Sequence, residues 1–331
     1  MEFWVVRAGS SGEHEQEFLD QNKVAISFGI STDLSGKSFD EIKQIYAEEH
    51  GDKNKHRVGN RAGQLHKFVE KIKTGDMIAV PLKTLSSIMI GRVAGPYRYD
   101  GSKEDIKHER AVEWGPTFPR SRFDDDILNG FNAHLTVFQI KAEDVVARIN
   151  AMDEGGKDPE TGNGGQIRDD DDEKEDLEAS SRDTIIRFLA RNYTGHKLTW
   201  LIAEILRARG YTVRQADPGP DGGVDILASS GVVGMGGTKI GVQVKPLNSS
   251  VNRDVLNATL GAARKKGADY ALLVAGGLTT AAMKDMDSMF FDAKLWDEGK
   301  VVDELIAVYD KLDDKIRASI PLRKMWAIVE E

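Results

Sequence analysis

No cysteine occurs anywhere in the 331 residues, which removes disulfides, thiolate zinc sites and cysteine nucleophiles together. Nor do eighteen consecutive apolar residues occur at any point, and the opening Met1-Glu2-Phe3-Trp4-Val5-Val6-Arg7 has no basic segment leading into a long apolar run. Neither a membrane span nor a secretory leader is expected, and the chain reads as a soluble, cytoplasmic protein. Histidine is nearly missing from the second half: six of the seven precede residue 142 and only His196 follows. That half has no material for a histidine-metal centre or a Ser/His/Asp hydrolase.

What the chain does have is charge, and its placement matters more than its sum. The formal net charge is −9, and residues 142–182, with 5 Lys/Arg against 14 Asp/Glu, carry an excess equal to all of it. The flanking stretches 1–141 and 183–331 are close to neutral, so each can present a local basic face to an acidic partner. The acidic stretch holds Gly155-Gly156, Gly162-Asn163-Gly164-Gly165 and the run Asp169-Asp170-Asp171-Asp172-Glu173. Low hydrophobicity with like-charge repulsion reads as a flexible linker over 142–182. It serves either as a solubilising tether or as a DNA mimic covering a basic groove.

Before it, short alternating runs at Phe3–Arg7, Val24–Phe28, Met77–Val80, Ile88–Val93 and Leu135–Ile140 are punctuated by glycine and proline. They predict a β-rich domain, a small, partly closed barrel with helices outside at about Phe39–Glu48 and Ala62–Lys73. After it, the pattern predicts helices at about Arg182–Ala190 and Leu198–Arg209, then strands at Tyr211–Gln215, Val224–Ala228 and Ile240–Lys245. A helix at Val251–Lys266, a strand at Tyr270–Ala275, a helix at Thr279–Phe290, a strand at Lys294–Trp296 and a helix at Val301–Leu312 complete it. The whole is an α+β or α/β protein whose C-terminal unit is a mixed sheet between helices.

The chemistry gathers in that second unit. Asp225 closes the turn Asp217-Pro218-Gly219-Pro220-Asp221-Gly222-Gly223-Val224 and enters the apolar strand Ile226-Leu227-Ala228. In Gln243-Val244-Lys245 the alternation sends Gln243 and Lys245 to one face and Val244 to the other. A carboxylate, an amide oxygen and an ammonium then share one face, the set that metal-assisted phosphodiester hydrolysis needs. The plainer reading makes Asp225 a turn cap and Lys245 a surface lysine. From these residues alone both readings stand.

Gly210-Tyr211, Asp221-Gly222-Gly223-Val224-Asp225-Ile226 and Gln243-Val244-Lys245, continued by Gly267-Ala268-Asp269, Gly276-Gly277-Leu278-Thr279, Leu295-Trp296-Asp297 and Ile320–Trp326, resemble the catalytic domain of Mrr-type restriction endonucleases of the PD-(D/E)xK superfamily. The resemblance covers about residues 183–328. It implies a restriction-endonuclease-like α/β sandwich that hydrolyses double-stranded DNA with Mg²⁺, Mn²⁺ being the alternative. It implies that Asp225, Gln243 and the Val244 carbonyl hold the metal and that Lys245 positions water. A further carboxylate is expected from Glu204 or Asp221. Pro246 departs from the small polar residue expected after the lysine. Arg207, Arg209, Arg253, Arg264, Lys265 and Lys266 are candidate phosphate contacts, or else plain helix-terminus charges.

In the first unit, Phe3-Trp4-Val5-Val6-Arg7-Ala8-Gly9, Val24–Gly29, Gly75–Pro81 and Ile90-Gly91-Arg92-Val93 resemble domains fused to such nucleases and, more loosely, the EVE and YTH group of PUA-like barrels. That likeness implies a modified-base reader. Its candidate pocket is Trp4, Ser27, Phe28, Asp33, Tyr97, Tyr99 and Trp114, although any single aromatic serves as well in a core. Lys103–Arg110 reads as a polar interaction loop. The expectation is a modification-dependent, type IV-like restriction endonuclease: reader 1–141, linker 142–182, nuclease 183–331, acting on modified DNA as a homodimer or larger assembly. The rivals are a phage-defence nuclease switched on by a small nucleotide or protein partner, and an inactive DNA-binding module.

Overall fold

Phe3-Trp4-Val5-Val6 is aromatic and β-branched throughout, and in the computed structural model it forms β1 (Phe3–Val6) with all four side chains buried. The structure describes residues 1–142, 144–153, 158, 177–216, 223–284 and 292–325. A strand buried at every position must be covered on both faces, and two separate apolar clusters do this. Trp4 and Val6 join helices α1 (Glu15–Gln21), α2 (Phe39–His50) and α3 (Lys55–His66). Phe3 and Val5 join α4 (Asp125–Gly130) and α5 (Val145–Asp153).

The sheet between these layers has six strands in the order β2 (Lys23–Ile26), β5 (His108–Pro119), β4 (Ser87–Tyr99), β3 (Met77–Pro81), β1 and β6 (Val137–Gln139). Only β1 and β3 run parallel; the other pairs are antiparallel. Strands β2 and β6 are its two ends and do not pair with each other, so the expected PUA-like barrel is not formed. The reason lies in burial: β1 and β3 hide every side chain, which suits a sheet sandwiched by helices.

Two further expectations change here. Lys103–Arg110 is not a free polar loop, because His108 and Arg110 are buried on β5. Arg110 donates to the Phe68 and Val69 carbonyls at 2.8 and 2.7 Å, and burial pushes its guanidinium down to about 10. The stretch 142–182 carries packed helix at its start. Val145, Ile149 and Met152 recur at helical spacing and are buried, while Arg148 pairs with Asp126 at 2.6 Å and Asp158 at 2.7 Å. Averaged composition hides such a short apolar stripe. The run Asp169–Glu173 lies outside the described residues.

The C-terminal unit begins with α6 (Leu177–Asn192) and α7 (His196–Ala208). Its five-stranded sheet has the order β13 (Ala293–Trp296), β11 (Tyr270–Val274), β9 (Lys239–Val244), β8 (Ile226–Ser229), β7 (Thr212–Gln215). Strands β13, β11 and β9 are parallel; β8 and β7 are antiparallel. One face packs on α6, α7, α10 (Glu298–Val308) and α11 (Asp314–Ser319). The other packs on α8 (Arg253–Lys265), α9 (Thr280–Met283) and the short ladder of β10 (Ser250–Val251) with β12 (Gly277–Leu278).

The two units meet through polar groups. Thr280 Oγ1 donates to the Gly115 carbonyl at 2.7 Å and Ser250 Oγ to the Thr117 carbonyl at 2.9 Å. The Ser86 and Ser121 amides donate to Asp297 and Glu298 at 2.6 and 3.1 Å. Glu298 is fully buried and its Oε2 has no partner among the described residues, so lost hydration raises its carboxyl well above the ordinary 4.5. A folded-state pKa raised in this way stabilises the fold below 4.5, and that stability is lost as pH rises from there toward the raised value. Glu298→Gln should therefore raise Tm relative to wild type at about pH 8 and change it little near pH 4.5. Identical Tm-against-pH curves would contradict this.

Candidate active site

The candidate residues Asp225, Gln243 and Lys245 lie near the end of β8 nearest Asp225. Asp225 extends the ladder beyond the strand: its N–H donates to the Val242 carbonyl and its C=O accepts from the Ala216 N–H, both at 2.8 Å. Ile226 pairs with Val242 in antiparallel register, and Asp225 sits just beyond that last pair, its side chain bonded to Val244, the residue between Gln243 and Lys245. Val242 points into the cluster under α7 and Gln243 meets Thr259 of α8, so the alternate positions Gln243 and Lys245 face the α8 side. Asp225, Gln243 and Lys245 are all partly exposed.

Local bonds orient the donors. The Val244 N–H donates to Asp225 Oδ2 at 2.6 Å. A residue's N–H and C=O leave an extended strand on the same side, which turns the Val244 carbonyl toward Asp225 as well. Thr259 on α8 lies 2.6 Å from Gln243 Oε1. Lys245 is anchored by its amide, which donates to the Val274 carbonyl at 2.8 Å.

Carboxylate, amide and carbonyl are all oxygen donors, the kind a hard dication takes, with water and phosphate oxygens filling its remaining positions. The donor set thus fits Mg²⁺ or Mn²⁺ while supplying a single negative charge. Among the described residues no three His, Cys, Asp or Glu side chains come together. Asp221 lies outside the described residues. Glu204 is not brought to the trio: it belongs to α7, on the opposite face of the sheet, and pairs with Arg207 within its own helix.

The candidate phosphate contacts divide by position. Opposite β9, α8 runs backwards, with Ala263 at Gly241 and Thr259 at Gln243. Its first turn, with Arg253, therefore lies toward Lys245. Arg264, Lys265 and Lys266 begin about 7 Å further along the axis from Thr259, away from Lys245. Arg264 also pairs with Asp292 at 3.3 Å and Arg209 with Glu304 at 2.5 Å. Arg207 and Arg209 sit at the α7 end, which leads into the start of β7, the sheet end remote from Asp225.

The reader residues fall into groups, and Asp33, Tyr97 and Tyr99 stay together around His108, with Tyr97 OH 3.5 Å from Asp33 Oδ1. Trp4 is core, its Nε1 donating to Asp76 Oδ2 at 3.2 Å, and Trp114 donates to the Phe18 carbonyl at 2.9 Å. Tyr97 and Tyr99 pack against buried His108, with Tyr97 OH 2.7 Å from its Nδ1. Burial lowers the His108 pKa. Asp33 accepts from the Ser35 hydroxyl and amide, which lowers its carboxyl pKa.

Ser27 and Phe28 instead line a cleft of about 520 Å³ with Ile26, His14, Arg61 and His134. Phe28 holds φ +47 and Gly29 φ +73 in a turn closed by the Ile30 N–H on the Ser27 carbonyl at 3.1 Å. A bulky side chain in the left-handed region costs on the order of 1–3 kcal/mol. His50 Nε2 at 2.7 Å from the Phe28 carbonyl and the Arg61 guanidinium 4.7 Å over its ring hold it there. Sequence reasoning missed Arg61, which lies beyond any local pattern; a phenylalanine before glycine in a tight turn was the available sign.

Comparison with known proteins places these sites in two matched segments. Residues 190–305 match a family described as "Restriction endonuclease", Mrr_cat. Residues 4–140 match a domain of unknown function, DUF8426, so the expected kinship with the EVE and YTH group finds no support there. No curated protein matches the chain. Among solved structures the chain is similar to "DNA modification-dependent restriction endonuclease AspBHI", at 12% identity and TM-score 0.33, covering 80% of this chain and 74% of that one.

Proposed function

We propose, from a C-terminal restriction endonuclease domain joined to a folded N-terminal domain with its own cleft, that the protein is a modification-dependent restriction endonuclease. The observation that carries the proposal is the Asp225 carboxylate bonded to the Val244 N–H, between Gln243 and Lys245, within the segment matched to the endonuclease family. Asp225, the Gln243 amide oxygen and the Val244 carbonyl would hold Mg²⁺ or Mn²⁺, which when bound supplies an acidified water and offsets phosphate charge. The Lys245 ammonium orients the attacking water and meets charge growing on the phosphate. Arg253, at the near end of α8, is placed to meet the DNA backbone. Since each chain contributes one site, cutting both strands calls for a homodimer or larger assembly.

For the N-terminal domain, the cleft of Phe28 is the reader site in place of the whole expected set. A planar base stacks on an aromatic ring, and the polar rim of Ser27 and His14 senses its substituent. Phe28→Ala should weaken binding to modified duplex by about tenfold, the worth of one stacked base, while binding to unmodified duplex holds. Competition binding with matched duplexes measures it, and an equal loss on both would remove the reader role.

The experiment that tests the whole reading is cleavage of matched DNAs with and without methyl, hydroxymethyl, glucosyl or phosphorothioate groups, each with Mg²⁺ and with chelator. Cutting of modified DNA alone, and only without chelator, is expected. Equal cutting of unmodified DNA would sink the modification dependence.

A further inference from the structure

Buried Thr259 presents an accounting problem beside the trio. Its hydroxyl oxygen lies 2.6 Å from Gln243 Oε1 and 2.7 Å from the Val255 carbonyl, and the side chain is fully buried. Both neighbours are acceptors, yet a hydroxyl has one proton. One contact must reverse. A carbonyl can only accept, whereas an amide offers either oxygen or NH₂ and the two are exchanged by a half-turn. The Thr259 proton therefore belongs to the Val255 carbonyl, one helical turn back, and the Gln243 NH₂ donates to the Thr259 oxygen.

That half-turn changes what the site receives. The other atom of the Gln243 amide faces the turn at Gly223, 3.4 Å from where a Cβ there would stand, two residues before Asp225. With NH₂ held by Thr259, this atom is the amide oxygen. We infer that Thr259 is a positioning residue: it reads the Gln243 amide and turns its oxygen toward the Asp225 side, converting a neutral side chain into a cation ligand. Without the hydroxyl no other hydrogen bond among the described residues sets the sense of the amide, and an NH₂ directed at a dication repels it. The inference rests on the metal-nuclease reading above for its consequence, and on hydrogen-bond accounting alone for the amide's orientation.

The test has two arms on the full chain. In the metal-free protein, the side-chain NH₂ resonance of Gln243, identified by its loss in Gln243→Glu, should show one proton protected from solvent exchange. That protection should persist in Thr259→Ser and vanish in Thr259→Val, which keeps the shape. In the second arm, Mn²⁺ affinity read by electron paramagnetic resonance should fall about tenfold in Thr259→Val and stay near wild type in Thr259→Ser. It should recover in the Thr259→Val/Gln243→Glu double variant, because a carboxylate presents oxygen on both sides. An NH₂ signal unchanged by Thr259→Val overturns the inference, as does a double variant that binds Mn²⁺ no better than Thr259→Val. Wild-type protein that binds no Mn²⁺ while the amide arm behaves as stated would instead remove the metal-site reading.

Discussion

Replacing Asp225 by asparagine is expected to lower DNA cleavage by at least about a thousandfold, since a metal-site carboxylate supports several kcal/mol of transition-state stabilisation and each 1.36 kcal/mol is tenfold. Asparagine is the informative choice because it keeps an oxygen acceptor for the Val244 N–H, whose bond to Asp225 measures 2.6 Å. The fold then loses little, and what disappears is the negative charge. Duplex binding should remain, because affinity for DNA comes mostly from cations on phosphates. Single-turnover cleavage of a modified duplex and mobility-shift binding on the same preparation separate the two. Wild-type cleavage by the variant would dismiss Asp225 from the site. Equal loss of binding in a folded variant would make it a structural residue.

Arg120→Ala should cost about 3–5 kcal/mol of stability, the usual consequence of leaving a buried charge without its partner. Arg120 follows β5 in the first unit and grips both oxygens of Asp183 on α6 at 2.6 Å, with Asn132 completing the cluster. The Asp183 side chain is 3% exposed, so water cannot take over. In a protein of this size the loss corresponds to a fall in Tm of about 4–7 °C. The double variant Arg120→Met/Asp183→Leu should recover much of it, because an apolar pair needs no hydration replaced. Calorimetry on wild type, single and double variants decides. A single variant within about 1 kcal/mol of wild type would mean that Asp183 finds another partner or water.

The legible parts of this protein were those written in local periodicity. Leu198, Leu201, Ile202 and Ile205 marked α7, and the segments expected as strands at Tyr211–Gln215, Val224–Ala228 and Ile240–Lys245 form β7, β8 and β9. Strand β5 escaped because Glu109, Arg110 and Glu113 interrupt its apolar positions; two of the three are buried and satisfied by partners far along the chain, Lys23 for Glu109 and the Phe68 carbonyl for Arg110. Helix α5 escaped because its apolar stripe is embedded in an acidic stretch. In both cases charge was read as exposure, and tertiary pairing made it otherwise.

The same boundary divides the site. The sequence alone determined that Gln243 and Lys245 share a face and that Asp225 begins the neighbouring strand after a glycine turn, since alternation in a strand is a property of two adjacent residues. Only the tertiary structure decided which helix covers that face and in which direction it runs. That choice put Thr259 against Gln243, carried Arg264, Lys265 and Lys266 away from Lys245, and left Glu204 behind the sheet. It also set Arg61 over Phe28, sent Trp4 into the core and gathered the two tyrosines on His108. Which side chains meet across elements depends on how apolar faces stack, and stacking is settled by the burial of the whole core rather than by any one segment's pattern.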